Sequence, residues 1–129
     1  MFPIRNRLKV VKDSILLRIK MNLRLRLTEP FKSNYHIDIA YLDKNIAVNS
    51  ITSIFYINTN NGYTEFEDGT IVHSVANRLA TFPLNTKHRG VTQTDEQTRY
   101  VINFNYLKGI DLPEQSPEYN LRQLYLSQL

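Results

Sequence analysis

Between Leu17 and Leu27 the chain alternates apolar and polar residues without a break, LRIKMNLRLRL. Side chains alternate across a strand with a period of two, so this pattern predicts one long, half-buried strand with an apolar and a polar face. Tyr35–Ala40 is a second strand-like run, and Ile51–Asn58, rich in β-branched and aromatic residues, is a third. Asn61-Gly62 predicts a tight hairpin after it. Shorter runs separated by turn residues continue the pattern: Tyr63–Glu67, Thr70–Val75, Arg78–Phe82, His88–Thr92 and Arg99–Tyr106.

Strand-like runs at such short intervals predict a mainly β protein, an all-β sandwich or small barrel. A jelly roll, in which two sheets face each other with a mouth at one end, fits the pattern well. The ends of the chain differ, because Met1–Ser14 has apolar residues at helical spacing. Ser116-Pro117 resembles the start of a helix, with Leu121, Leu124 and Tyr125 on one face. We expect one domain, 1–129, with short flanking helices. The second helix would pack against the sandwich or a second subunit.

Composition excludes several kinds of site and segment. The chain has no cysteine, which excludes disulfides, thiolate zinc sites, iron–sulfur clusters and a cysteine nucleophile. Its longest apolar runs are a few residues, and its N-terminal part lacks the apolar stretch of a signal peptide. We therefore expect no membrane span and a cytoplasmic location.

Positive charge is concentrated at the N-terminal end of the chain. Residues 1–26 hold eight Lys and Arg against one Asp, although the whole chain has a net charge of only +4. Such a segment can contact phosphates, or it can be the solvated face of a strand and a helix. Its basic residues do not alternate with stacking aromatics, so we favour the solvated face over nucleic-acid binding.

Three residues form a candidate metal site. His36 and Asp38 are two positions apart, so on a strand they share a face with about 6–7 Å between their Cα atoms. His88 lies in a turn between two later strand-like runs. Two imidazoles and one carboxylate are a three-point ligand set for Fe(II) that leaves coordination positions open. Arg99 follows eleven residues after His88, and a guanidinium suits a carboxylate ligand. The third histidine, His73, has no such context and is predicted to lie on the surface.

These residues lie within a longer motif. The chain reads Arg78-Leu79-Ala80-Thr81-Phe82, then His88, then Thr98-Arg99-Tyr100-Val101-Ile102-Asn103-Phe104-Asn105-Tyr106. The motif resembles that of the 2-oxoglutarate-dependent non-haem iron dioxygenases, in particular the prolyl-4-hydroxylase-like branch and its short relatives in marine phages. The resemblance covers about Leu16–Leu107. It implies a double-stranded β-helix of the cupin-like, jelly-roll kind, and a host-cytoplasmic location if a phage encodes the protein.

The resemblance also implies roles for individual residues. His36, Asp38 and His88 would hold Fe(II), and Arg99 would bind the distal carboxylate of 2-oxoglutarate. Tyr56, in Phe55-Tyr56-Ile57-Asn58, stands where family members place a tyrosine that binds the same carboxylate. Asn22 matches the first residue of an Asn-x-Tyr that reaches the cosubstrate in several relatives, although Arg24 replaces the tyrosine.

The implied reaction couples oxidative decarboxylation of 2-oxoglutarate by O2 to hydroxylation of a substrate, with ascorbate as a reductant. A peptidyl prolyl residue or a small molecule is the expected substrate, but the residues do not identify it. Two alternatives remain open. One is a jelly-roll binding module without catalysis, and the other is an oxygenase that acts on nucleic acid through the basic N-terminal segment.

Overall fold

The protein is described by a computed structural model over residues 14–108. The predicted N-terminal helix, apart from Ser14, and the predicted C-terminal helix lie outside the described residues. The described part contains the following elements: β1 (Ile15–Leu25), α1 (Lys44–Val48), β2 (Ser50–Tyr56), β3 (Tyr63–Phe66), β4 (Ile71–His73), β5 (Arg78–Pro83), β6 (His88–Val91) and β7 (Thr98–Leu107). Within residues 14–108, no helix is long and apolar enough to cross a membrane.

The strands form two antiparallel sheets. One has four strands in the order β1-β7-β2-β5, and the other has three in the order β4-β3-β6. Consecutive strands often lie in different sheets, as β2 and β3 do, so the chain crosses repeatedly between the two layers. This arrangement is a jelly roll, which confirms the predicted fold class.

The core lies between the two sheets. Ile54, Tyr56 and Val101 form a buried cluster on the four-stranded sheet. The two sheets contact each other directly, because the Tyr56 hydroxyl donates a 2.7 Å hydrogen bond to the Thr64 hydroxyl of β3. Phe66 of β3 also packs edge-to-face on a β5 phenylalanine at 4.9 Å between ring centroids. A cavity lined by residues of both sheets lies beside this apolar core.

A half-buried strand usually turns its apolar face towards the core. In β1 the polar face is turned towards the cavity instead, and the apolar face points away from it. Ile19 and Met21, in the middle of the strand, lie on the outer face of the sheet, where they are 55% and 58% exposed. The cause is a register shift against β7 between Leu16 and Arg18. Ile15, before the shift, is buried, whereas beyond it the residues that share its odd numbering point outwards.

Three local predictions were wrong. Tyr35–Ala40 is not a strand; it pairs with β6 through one isolated bridge. Asn61-Gly62 does not close a hairpin, since β2 and β3 belong to different sheets and neither residue has a positive φ. Tyr41–Asn49, expected to be irregular, contains α1, whose first turn is capped by the Asp43 carboxylate. The other predicted strands form within a few residues of their expected bounds.

Candidate metal centre and cavity

A backbone bridge brings the two histidines together. The His36 amide donates to the His88 carbonyl at 2.9 Å, and the His88 amide donates back to the His36 carbonyl at 3.0 Å. Directly opposite residues in an antiparallel pair project their side chains to the same side, so a single bridge is enough to join residues distant in sequence. The imidazole ring centroids lie 4.7 Å apart. His88 is buried, whereas 49% of the His36 side chain is exposed.

Asp38 completes the cluster, and hydrogen bonds from β7 hold its carboxylate in place. Its Oδ1 lies 3.1 Å from His88 Nε2 and 3.7 Å from His36 Nε2. Its Oδ2 accepts hydrogen bonds from the amide groups of Asn103, at 3.2 Å, and Asn105, at 3.1 Å. The Asn105 amide also donates to a buried threonine hydroxyl on β2, and Arg18 donates to the Asp38 backbone carbonyl at 2.9 Å. One carboxylate oxygen is thereby turned towards the two imidazoles.

The donor set fits a divalent transition metal. One ligand atom from each of the three residues lies within 4.8 Å of the others. Two ligand atoms that each lie about 2.1 Å from a metal, with a right angle between the two bonds, are about 3 Å apart. The distances from Asp38 Oδ1 to the Nε2 atoms of the two histidines, 3.1 and 3.7 Å, are close to this value. Both Nδ1 atoms lie within hydrogen-bonding distance of backbone carbonyls, at 3.2 Å for His36 and 3.0 Å for His88. An Nδ1–H donor leaves Nε2 as the lone pair that a metal needs.

Electrostatics in the metal-free cluster favour charged forms. Burial alone would raise the pKa of Asp38, but hydrogen bonds from His88 and Asn105, with the charge of His88, hold that pKa well below its usual range. Burial opposes protonation of His88, yet its hydrogen bond to Asp38 and the Thr86 carbonyl raise the pKa of the imidazole. Both shifts favour an ion pair between a protonated His88 and an ionised Asp38 in the absence of metal.

The predicted cosubstrate anchor, Arg99, is buried in the same cavity. Only 5% of it is exposed, and its Nε donates to the Ser74 hydroxyl at 3.2 Å. No carboxylate among residues 14–108 forms an ion pair with its guanidinium. Burial, together with the nearby positive charge of Arg24, lowers the pKa of Arg99, partly offset by Tyr56. A buried cation without an anionic partner is costly, and such a cavity is a natural site for an anionic ligand.

Glycines make room for this guanidinium. A Cβ at Gly62 would lie 2.8 Å from the Arg99 Cδ and 2.9 Å from the backbone oxygen of Val91. Gly90, on the inner face of β6, lies opposite the end of the same side chain, 3.7 Å from Nη1 to the ideal Cβ position. The arginine is thus packed against backbone on one side and borders open space on the other.

Two further predicted cosubstrate residues take different positions. Tyr56 is fully buried, its hydroxyl is engaged by Thr64, and burial raises the pKa of the phenol. It lies near the guanidinium of Arg99 but does not itself line the cavity. Asn22 of β1 does line the cavity and approaches the Asn103 side chain at 3.5 Å. His73, at the end of β4, is exposed as expected.

The cavity has a volume of about 500 Å³ and spans both groups, with His36, Asp38 and His88 in one part of its wall and Arg99 in another. Along β7, Asn103 and Asn105 hold the carboxylate of the cluster, and the same inward face continues through Val101 to the guanidinium. The structure therefore brings together the four residues that the sequence singled out first.

Comparison with solved structures agrees with the fold. The chain is similar to a non-heme monooxygenase, ThoJ, in its nickel complex (TM-score 0.59, 15% identity, 88% of this chain and 60% of that chain). It is similar to apo ThoJ in the same way (TM-score 0.58, 14% identity, 88% and 62%). A cupin protein from Bacteroides fragilis also aligns, at a TM-score of 0.44 and 9% identity, over 76% of this chain and 70% of that one.

At these identities the likeness shows the fold alone, and the chain spans about 60% of the length of the ThoJ chain that it matches. None of the three structures is described as a prolyl hydroxylase. The sequence matches no protein-family model and no curated protein.

Sequence reasoning missed the residues that position the ligands. Asn103 and Asn105 lie within the motif Thr98–Tyr106, but the resemblance gives neither of them a role. The available signal was their spacing, because two amides at alternate positions share one face of a strand with Arg99. Arg18 was counted only as part of a basic segment, although its guanidinium holds the backbone that carries Asp38.

Proposed function

We propose that the protein is a non-haem oxygenase that binds Fe(II) through His36, Asp38 and His88 and uses 2-oxoglutarate and O2 to hydroxylate a substrate. The observation that carries the proposal is the buried guanidinium of Arg99, which lacks a carboxylate partner among the described residues and shares a cavity with the three-residue cluster. The similarity of the fold to a non-heme monooxygenase supports it. A metal-binding module without catalysis would not need a buried cation there.

The chemistry divides between the metal and the chain. Bound iron would supply O2 activation coupled to loss of CO2 from 2-oxoglutarate. Arg99 would bind the distal carboxylate of the cosubstrate, which fixes its keto acid end towards the ligand cluster. Asn103 and Asn105 keep the Asp38 carboxylate pointing at the metal position. The exposed side of His36 leaves the cluster accessible to a substrate from solvent.

A direct test measures succinate formation and 2-oxoglutarate-dependent O2 uptake with Fe(II), with and without a pool of candidate peptides and small molecules. We expect slow succinate release without substrate and faster release with the right one. Asp38→Ala should abolish both, because a two-ligand site holds the metal poorly. If Asp38→Ala retains 2-oxoglutarate-dependent O2 uptake, the ligand assignment is wrong.

A second arm separates an oxygenase from a binding module. Arg99→Gln should raise the KM for 2-oxoglutarate far more than it changes metal affinity, whereas Arg26→Gln, which removes an exposed arginine outside the cavity, should change neither. A protein that binds metal tightly but shows no affinity for 2-oxoglutarate would contradict the proposed cosubstrate.

A further inference from the structure

The cavity wall carries more positive charge than the proposed cosubstrate can neutralise. Arg18, Lys20 and Arg24, on alternate positions of β1, line it together with Arg99. Among the described residues of that wall, the only carboxylate is Asp38. A divalent metal, doubly charged 2-oxoglutarate, Asp38 and Arg99 together have no net charge. The three cations of β1 are therefore left over when the proposed site is filled.

Two of these cations lack partners within the described chain. Arg18 donates to the backbone carbonyl of Asp38, so its guanidinium is engaged. By contrast, the side chains of Lys20 and Arg24 form no hydrogen bond or ion pair with any residue in 14–108. Arg24 also lies directly opposite Arg99 in the β1–β7 register, and like charges in that position are destabilising. Stability of the sheet does not explain either residue.

Register places Lys20 beside the residues that hold the metal cluster and Arg24 beside Arg99. Lys20 is the cross-strand partner of Asn103, whose amide holds the Asp38 carboxylate. Arg24 lies four residues further along the same face, about 13 Å away between Cα atoms at the usual rise of a strand. Both residues are exposed and line the cavity, so a molecule from solvent can reach them.

We propose that the substrate carries an oxyanion, a carboxylate or a phosphate, which binds to Lys20 and Arg24 while a neighbouring C–H bond lies at the metal centre. The inference rests on the proposed function, since it assigns a substrate class to the same site. A neutral prolyl side chain would leave both cations unpaired, so the preferred substrate is acidic. The anion site is distinct from Arg99, which 2-oxoglutarate would occupy.

The test uses the full chain loaded with Zn(II), as an inert stand-in for iron, and saturated with 2-oxoglutarate. Inorganic phosphate and acetate are titrated separately and followed by amide chemical shifts in NMR. Lys20→Gln and Arg24→Gln should each weaken binding of the better probe by up to about fivefold, the upper end for one exposed ion pair. The tighter of the two probes identifies the preferred oxyanion.

Arg26→Gln is the matched control, because it removes the same charge from an exposed position just beyond β1 and outside the cavity. Equal weakening by all three substitutions would mean diffuse attraction to a basic surface and would overturn the proposal. So would the absence of measurable binding of either probe to the unaltered protein.

The same titration of an Arg99→Met variant tests whether anion binding depends on the proposed cosubstrate site. The proposed anion site should still bind the better probe in that variant, and adding Lys20→Gln to it should weaken the binding as it does in the parent protein. If 2-oxoglutarate fails to bind the parent protein while the Lys20-dependent titration persists, the proposed function fails and the anion site stands. If 2-oxoglutarate binds normally and the titration shows no dependence on Lys20, the reverse conclusion holds.

Discussion

Replacing Arg99 by methionine should leave the metal-free fold at least as stable and should weaken cosubstrate binding. Arg99 is 5% exposed, its side chain forms one hydrogen bond within residues 14–108, to Ser74, and it lies opposite Arg24 in the register. Replacing buried charges by apolar side chains of similar volume is often neutral or stabilising by about 1–4 kcal/mol. Because methionine can follow the same path past Gly62, we expect the unfolding free energy to stay the same or rise.

Affinity for 2-oxoglutarate should fall sharply in the same variant. Removing one member of a buried, hydrogen-bonded charge pair costs about 2–5 kcal/mol of binding free energy. That corresponds to a dissociation constant raised about 30-fold or more. A residue that served only the fold would instead show a loss of stability and no selective loss of affinity.

Urea denaturation of the chelator-treated protein measures the first quantity, and calorimetric titration of 2-oxoglutarate into the Zn(II)-loaded protein measures the second. Arg26→Met is the control, since it removes an exposed arginine from outside the cavity. The reasoning would be refuted by a variant that loses several kcal/mol of stability, or by one that binds 2-oxoglutarate as tightly as the parent.

Three further predictions concern the ligand shell and the glycines. Asn105→Leu should raise the Zn(II) dissociation constant about 10–100-fold in calorimetry, because it removes a hydrogen bond that orients the Asp38 carboxylate. Thr52→Val removes only the other acceptor of the Asn105 amide and should leave the Zn(II) affinity unchanged. Equal losses of affinity in the two variants would contradict the orienting role of Asn105. In metal-free protein, the raised pKa of His88 contributes stability fully below its unfolded value of 6.5, and this contribution is lost as pH rises through the higher folded pKa. Denaturation with chelator should show that decline, and His88→Gln should remove it; an unchanged decline would exclude His88 as its source. Gly62→Ala should weaken 2-oxoglutarate binding, because the added methyl group would lie 2.8 Å from the Arg99 side chain. Gly90→Ala would place its methyl group 3.7 Å from the same side chain and should have a smaller effect in the same titration. A larger effect of Gly90→Ala would refute this packing argument.

The parts of the site that the sequence predicted are those set by residue type and simple alternation. His88 begins β6, and Arg99 is the second residue of β7, whose aromatic and β-branched residues predict a strand. His36 was placed on a strand that does not form, yet one backbone bridge to His88 is sufficient to give the predicted proximity. The supporting amides of Asn103 and Asn105 could not be assigned, because their role depends on where Asp38 lies in space.

The bulge at Leu17 explains why the apolar face of β1 does not point into the protein, as its amphipathic pattern would suggest. Ile15 pairs with Leu107 and Leu16 with Tyr106, but the next pair is Arg18 with Asn105. Without the extra residue, Leu17 would take that place, and every later apolar residue of β1 would face inwards. A one-residue slip exchanges the two faces of a strand, and bulges are common next to active sites. Alternation in the sequence defines two faces but cannot tell which one a bulge will turn towards the ligand. The polar wall of the cavity therefore depends on a single inserted leucine, and the exposed apolar face is its direct consequence.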